Sequence, residues 1–230
     1  MIKPLLWILS FISLLVSLFW LQVMYIKRKE ERLSDYFPEV SILIPALNEE
    51  KTISKTIKTI LKLDYPKNKI KIIVINDESK DRTREVAGRF KNVLVLDNKH
   101  LGVGKASAVN MGLKHVNTEF FAVLDADSEV HPESLRKLIS LFKDKNVAAA
   151  ISSIKVKNAE NVLTHIQRIE YILATFIRKL MSKIDTLHIT PGVLSVYRTN
   201  IIKKLGNFDK DNITEDLEIA MRLRYNHYNV

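Results

Sequence analysis

Cysteine is absent from the 230-residue chain, and glycine and proline number only six each. The first absence excludes a disulfide scaffold, any Cys-ligated zinc or iron–sulfur site, and redox chemistry resting on a thiol. The scarcity of the other two, beside 47% apolar residues, excludes a Gly- or Pro-rich disordered chain and leaves one able to bury a core. Acidic residues are also in the minority: 26 Asp and Glu stand against 36 Lys and Arg, a net charge of +10. An excess of that size suits nucleic acid, anionic lipid or merely a solvated surface. Two nucleotide motifs fail as well. Around Gly102-Val-Gly104-Lys105-Ala106, Lys99 and Ala106 occupy positions where a Walker A loop has Gly and Ser or Thr. A dinucleotide fingerprint would need Gly or Ala at Ser107, and would follow the first strand instead of the third. Lys105, at a helix start, can still meet a phosphate.

What the chain does have begins with Leu5 to Ile26, a run without one charge. As a helix it reaches about 33 Å, enough for a hydrocarbon core of about 30 Å. It is too long for a signal-peptide core, and no small-residue cleavage site follows it. Lys3 stands alone before the run, whereas Lys27, Arg28, Lys29 and Arg32 follow it. The positive-inside rule therefore predicts a single-pass cell-membrane protein, amino terminus outside and the rest cytoplasmic. The expected organisation is a tail at 1–4, a span at 5–26, a basic linker at 27–39 and a catalytic domain at 40–230.

Beyond the linker, Val40–Ile44, Ile70–Ile75, Val93–Leu96 and Phe120–Leu124 are short, apolar and β-branched or aromatic, as strands buried on both faces should be. Helical stretches separate them, the clearest carrying Ile53, Ile57, Ile60 and Leu61 on one face and Lys51, Lys55, Lys58 and Lys62 on the other. The alternation predicts an α/β domain with a mostly parallel sheet, whose ligands collect at the carboxyl ends of the strands.

Those ends are acidic. The first strand runs into Asn48-Glu49, the second into Asp77-Glu78-Ser79-Lys80-Asp81, and the fourth into Asp125-Ala-Asp127. Each has a modest alternative as a cap or turn. Together on one rim they repel one another unless a cation or hydrogen-bond donors intervene. An Asp-x-Asp pair offers the hard oxygen ligands of a Mg²⁺ or Mn²⁺ shared with phosphates.

Pro45-Ala-Leu-Asn-Glu49, Asn76-Asp-Glu-Ser-Lys-Asp-Arg-Thr83, Gly104–Leu113, Asp125-Ala-Asp127 and Thr214-Glu-Asp216 occur in order, and in this the chain resembles family 2 glycosyltransferases. It is most similar to the membrane-bound branch that includes cellulose, hyaluronan and poly-N-acetylglucosamine synthases. The resemblance covers roughly residues 38 to 230. It implies a GT-A fold, a nucleoside-diphosphate sugar donor, with a uridine nucleotide as first expectation, and inversion at the anomeric carbon. By the same resemblance Pro45, Asn48 and Glu49 form the first nucleotide-binding loop and Asp77 reads the base. Asp125 faces ribose or diphosphate, Asp127 holds the metal, and Asp216 is the general base toward a lipid-linked or glycan acceptor. Gly192, Tyr197, Arg198 and Glu215 fall on the acceptor side. Asn76 and Glu78 stand where the family pattern has Asp and Gly.

Glu215 and Asp216 also suit the start of a helix running to Asn226, after which His227–Val230 reads as the beginning of a strand. The Gln-x-x-Arg-Trp segment and further spans of the synthases do not follow, so the chain is expected to be a piece of a longer protein. A non-catalytic nucleotide-sugar-binding scaffold is the alternative function; a nucleic-acid partner is not expected, for want of any motif beyond charge. Finally, Val162, Ile166, Ile169, Leu173, Phe176 and Leu180 recur at alternating four and three spacing with Arg168, Arg178, Lys179 and Lys183 nearby. This stripe is expected to pack on the sheet, with a membrane-surface helix or a coiled coil as alternatives.

Overall fold

The four apolar runs are strands: β1 (Val40–Ala46), β2 (Ile70–Asn76), β3 (Val93–Asp97) and β4 (Phe120–Leu124). The structure is a computed structural model that describes residues 2–27, 33, 35–98, 104–157 and 159–230. The expected basic collar at Arg28, Lys29 and Arg32, and Gly102, lie outside the described residues. The chain divides into two units, one from 31–153 and 188–230, the other from 1–30 and 154–187.

In the larger unit two further strands, β5 (Ala149–Ile151) and β6 (Val193–Arg198), complete a six-stranded sheet of order β3-β2-β1-β4-β6-β5. β1 pairs in parallel with β2 and β4, and β2 with β3, while β6 runs antiparallel to β4 and β5. The helices α2 (Ile53–Ile60), α3 (Thr83–Gly88) and α4 (Lys105–Leu113) connect the parallel strands in turn, so all four of those strands end on one rim.

Successive strand residues point to opposite faces, and both faces are covered, which is why the strands read as unbroken apolar runs. Ile42, Ile44 and Val74 pack with Ile53, Ile57 and Ile60 of α2 and with Leu135 and Leu138 of α5 (Ser134–Leu141). Leu61, expected on the same face of α2, is the C-cap residue and is exposed. On the other face Leu43, Ile75 and Val123 pack with Val109 and Leu113 of α4, Ile202 of α7 (Thr199–Lys204), and Ile219 and Leu223 of α8 (Glu215–Tyr225). Gly112 lets α4 approach closely. A Cβ there would lie 3.0 Å from both Ile75 Cδ1 and Leu43 Cδ2. At the chain end Asn229 forms a single parallel bridge with Val147, a trace of the strand expected at 227–230.

The smaller unit holds α1 (Ile2–Tyr25) and α6 (Val162–Lys183). Lys3–Tyr25 is long and apolar enough to cross a membrane. Asn161 caps α6 reciprocally with Thr164. The stripe on α6 does not behave as a core stripe: of its residues only Leu180 is buried, and Val162, Ile166, Ile169, Leu173 and Phe176 are exposed.

Candidate active site at the carboxyl ends of the strands

The order of the sheet places β1 between β2 and β4, with its connection leaving toward β2. Neighbouring connections diverge here, and such a point opens a crevice outside the strand ends. A cleft of about 330 Å³ lies there, lined by Pro45, Glu49, Asp77, Lys105, Asp125 and Asp127 among others. Six of the expected donor-side and metal residues thus converge. A larger depression of about 880 Å³, at Asn110, Lys203, Asp209 and Arg222, shares no lining residue with it and holds none of the expected site residues.

Hydrogen bonds tie the loops after β1 and β2 together. Ser79 Oγ accepts from Asn48 N (3.0 Å), Asn48 Oδ1 accepts from Lys80 N (2.8 Å), and Thr83 Oγ1 accepts from Glu49 N (2.7 Å). Asp81 accepts from Glu50 N and Thr83 N. Burial opposes its charge, but the bonds from Thr83 and Glu50 outweigh that and hold the carboxyl below its ordinary value. Asn48, expected to touch donor, is thus a loop clasp and does not line the cleft. Both loops include a left-handed residue, Asn48 at φ 57° and Glu78 at φ 58°, a region that asparagine tolerates better than glutamate.

Asp77 is nearly fully buried and accepts from Asn98 Nδ2 (2.5 Å) and from Gly104 N (2.9 Å). It therefore fixes the start of α4, whose first residue is Lys105. Gly104 has φ 137°, open to glycine at little cost. Lys105 Nζ donates to Asp125 Oδ1 (2.5 Å) at the positive end of that helix. Across from the pair, Gly192 accepts from Asp125 N through its carbonyl (3.1 Å). A Cβ on Gly192 would lie 1.9 Å from Lys105 Nζ and 2.7 Å from Asp125 Oδ1.

Among the described residues no three His, Asp or Glu side chains converge as a preformed metal site. The oxygen donors still fit a divalent cation. Asp125 is engaged by Lys105, whereas among the described residues Asp127 has only the adjacent Ser128 hydroxyl at 3.2 Å and stands at the cleft wall. One carboxylate beside a phosphate-sized cleft suits Mg²⁺ or Mn²⁺, which take remaining ligands from phosphate and water, and not zinc, which favours nitrogen and sulfur.

Asp216 opens α8, with Oδ1 accepting from Leu217 N (2.8 Å). Its main-chain carbonyl accepts from both Thr190 N (3.1 Å) and Thr190 Oγ1 (2.9 Å). Thr190-Pro191-Gly192 therefore ties Asp216 at one end to Asp125 at the other. Glu215 precedes Asp216 in the same first turn. Tyr197 and Arg198 are not on an acceptor surface, which corrects that expectation. Tyr197 is 1% exposed and stacks on Phe121 at 5.0 Å, and burial pushes its hydroxyl up. Arg198 donates to the Val147 and Phe142 carbonyls and lies over the Phe120 ring. β-strand alternation turns Tyr197 to one face of the sheet, against Phe121 and Phe208, and Arg198 to the other, against Phe120 and Phe142.

Sequence reasoning missed three residues that support the cleft. Thr56 of α2 donates to the Ala126 carbonyl (2.7 Å) and fixes the turn between Asp125 and Asp127. Asn98 holds Asp77, and Thr190 holds Asp216. Each is a small polar residue almost fully buried, which is a signal only once burial is known.

A parallel sheet with an antiparallel flank, a helix-borne lysine and an Asp-x-Asp turn at one crevice define the class of GT-A glycosyltransferase folds. The model of Glycosyl transferase family 2 matches residues 41–206, and the chain belongs to that family. It is 34% identical over 198 residues to the probable glycosyltransferase YdaM of Bacillus subtilis, covering 81% of this chain and 46% of that protein. It is 31% identical over 195 residues to a poly-β-1,6-N-acetyl-D-glucosamine synthase of Staphylococcus epidermidis, covering 83% and 47%. The chain thus spans about half the length of these relatives. Among solved structures, the mannosyltransferase PcManGT of Pyrobaculum calidifontis, in complex with GDP-Man and Mn²⁺, superposes with a TM-score of 0.75 at 22% identity, covering 92% of this chain and 60% of that one.

Proposed function

We propose that the chain is the donor-binding and catalytic part of a membrane-anchored, inverting glycosyltransferase, moving a sugar from a nucleoside diphosphate to a lipid-linked or glycan acceptor. The observation that carries this reading is the cleft that gathers Asp77, Lys105, Asp125 and Asp127 at the ends of β1, β2 and β4. The PcManGT complex, a protein of the same fold that holds a nucleotide sugar and a divalent metal, supports it.

Each residue then has a task that its surroundings suit. Pro45 and Glu49 wall the nucleotide side, and Asp77, whose oxygens already accept N–H donors, meets the base. Lys105, aided by the amino end of α4, offsets diphosphate charge while Asp125 holds it in place. Asp127 would hold Mg²⁺ or Mn²⁺, which when bound neutralises charge on the leaving diphosphate. Asp216 takes the proton of the acceptor hydroxyl as that oxygen attacks the anomeric carbon. Its Oδ1 is occupied by Leu217 N, so Oδ2 is the atom that receives the proton.

The test is release of nucleoside diphosphate from a panel of nucleotide sugars, uridine forms first, by the full chain in lipid. Turnover is expected to require Mg²⁺ or Mn²⁺ and to stop in chelator. Asp216→Asn is expected to lower it roughly a hundred- to ten-thousand-fold, the usual worth of a general base. The same change removes one charge from a helix start and costs at most about 1 kcal/mol of stability, so the variant remains folded. Asp127→Ala is expected to lose metal-dependent turnover. Full activity in both variants would sink the proposal.

A further inference from the structure

We infer that Thr56 and Thr59 of α2 are positioning residues for the divalent cation. They hold the segment around Asp127 against the helix and so set the metal affinity of the cleft, although neither lines it. The inference rests on the reading of Asp127 as the metal carboxylate. Its first ground is a hydroxyl that packing does not require. Thr56 is 1% exposed and shares the buried side of α2 with Ile53, Ile57 and Ile60. Valine would fill the same space, suit the helix no worse and bring no polar atom into the core. A threonine hydroxyl inside a helix ordinarily turns back to the carbonyl one turn earlier. Here it leaves the helix and donates to the Ala126 carbonyl at 2.7 Å. That carbonyl belongs to the peptide group leading into Asp127, so the bond fixes the plane from which the Asp127 side chain departs.

The same helix holds the rest of the segment. Thr59 Oγ1 donates to the Thr56 carbonyl (2.8 Å) and accepts from Val130 N (3.3 Å). Lys55 Nζ pairs with Glu129 at 2.6 Å, and past the helix Asp64 N donates to the Pro132 carbonyl (2.8 Å). The lysine is largely exposed, so its pair adds little, and the hold rests on the two hydroxyls. Inside this lacing the Asp127 carboxylate has only Ser128 Oγ beside it among the described residues. Fixed backbone around one waiting side chain suits a cation that takes its other ligands from phosphate and water. Mg²⁺ demands near-ideal octahedral geometry at about 2.1 Å, and no second protein carboxylate makes up for a misplaced one while Asp125 is engaged by Lys105. At its amino end α2 starts from Glu49, whose carbonyl accepts from Thr52 N and Ile53 N and which lines the nucleotide side of the cleft. One short helix therefore keeps the metal carboxylate and the nucleotide loop in a fixed relation, as a metal shared between protein and diphosphate requires.

The test is nucleotide binding by titration calorimetry on the full chain in detergent, once in EDTA and once in excess Mn²⁺. UDP and GDP are both titrated, and the tighter binder is used. The readout is the gain in affinity that Mn²⁺ brings, which Asp127→Ala is expected to abolish. Thr56→Val is expected to cut the gain about tenfold, the low end of what groups orienting a metal ligand are worth, while affinity in EDTA stays at the parent value. Thr56→Ser keeps the hydroxyl and is expected to restore most of the gain. A hydroxyl that served folding alone would leave the gain intact, or weaken binding in EDTA and Mn²⁺ alike. Either result overturns the inference while the metal reading stands. No gain from Mn²⁺ in the parent, or no binding of either nucleotide, overturns the metal reading and the inference with it. Should Thr56→Val fail to fold, Thr59→Ala decides, since that site is half-buried and alanine suits a helix. The gain is then expected to fall about threefold, the worth of one ordinary hydrogen bond, with affinity in EDTA unchanged; an undiminished gain overturns the inference.

Discussion

Lys105 and Asp125 illustrate how one glycine can matter to chemistry more than to folding. Their contact is shielded on one side by Gly192, and a methyl there would collide with the lysine ammonium at 1.9 Å. The ammonium is the far end of a flexible side chain, so it can swing away cheaply, but it then leaves Asp125. Gly192→Ala is accordingly expected to melt within a few degrees of the parent while kcat/KM for the nucleotide sugar falls about tenfold to a hundredfold. That range corresponds to the loss of one charge-assisted hydrogen bond, about 1.5–3 kcal/mol. Steady-state kinetics beside a thermal melt checks it, and unchanged kinetics would mean that the pair has no part in turnover. Gly192 was expected on the acceptor side by resemblance alone; its place beside Lys105 and Asp125 was not legible. The clash involves residues 87 and 67 positions earlier in the chain, and no local pattern reports such a distance. Thr56, Asn98 and Thr190 were missed for the same cause.

The connection between β2 and α3 shows the converse, a departure from the family pattern that the backbone makes intelligible. Glu78 has φ 58°, in the left-handed region where a side chain costs about 1–2 kcal/mol and glycine nothing comparable. The family's Gly at this place thus answers a conformational need that this chain meets with strain, held by the clasp of Ser79, Lys80 and Thr83 on the loop after β1. Glu78 is exposed, so replacing it removes no packing. Glu78→Gly is expected to raise stability by about 0.5–1 kcal/mol, after allowance for the greater freedom of glycine in the unfolded chain. A urea midpoint that falls would count against strain at this turn. Among the elements, the four parallel strands were legible as unbroken apolar runs covered on both faces, and α2 by the one buried face that its period declares. β5 and β6 were not, since three- and six-residue antiparallel strands earn their place by pairing with β4 and with each other. The stripe on α6 was legible only in part, because an apolar stripe states what must be covered but not by what.

At the scale of the whole molecule, the +10 charge bears on orientation. Lys3 alone precedes the apolar run Leu5 to Ile26, whereas Lys27, Arg28, Lys29 and Arg32 follow it within a few residues, and by the positive-inside rule the basic side is expected in the cytoplasm. Under the proposed function, the cleft lined with Asp77, Lys105 and Asp127 meets its donor on that side. An anionic inner leaflet would attract the same surplus, each basic group close to the surface contributing about 1 kcal/mol. Single cysteines at Ile2→Cys and Asp211→Cys, in an otherwise cysteine-free chain, separate the two orientations. A membrane-impermeant maleimide added to intact cells is expected to label position 2 and to spare position 211 until the membrane is opened. Replacing the four basic residues after the helix by Gln is expected to raise the share of chains labelled at 211 in intact cells several-fold, because the bias then rests on Lys3 alone and reverses. Labelling of 211 in intact cells carrying the unaltered collar would place the cleft outside, away from the donor, and would refute the anchored orientation together with the role assigned to the collar.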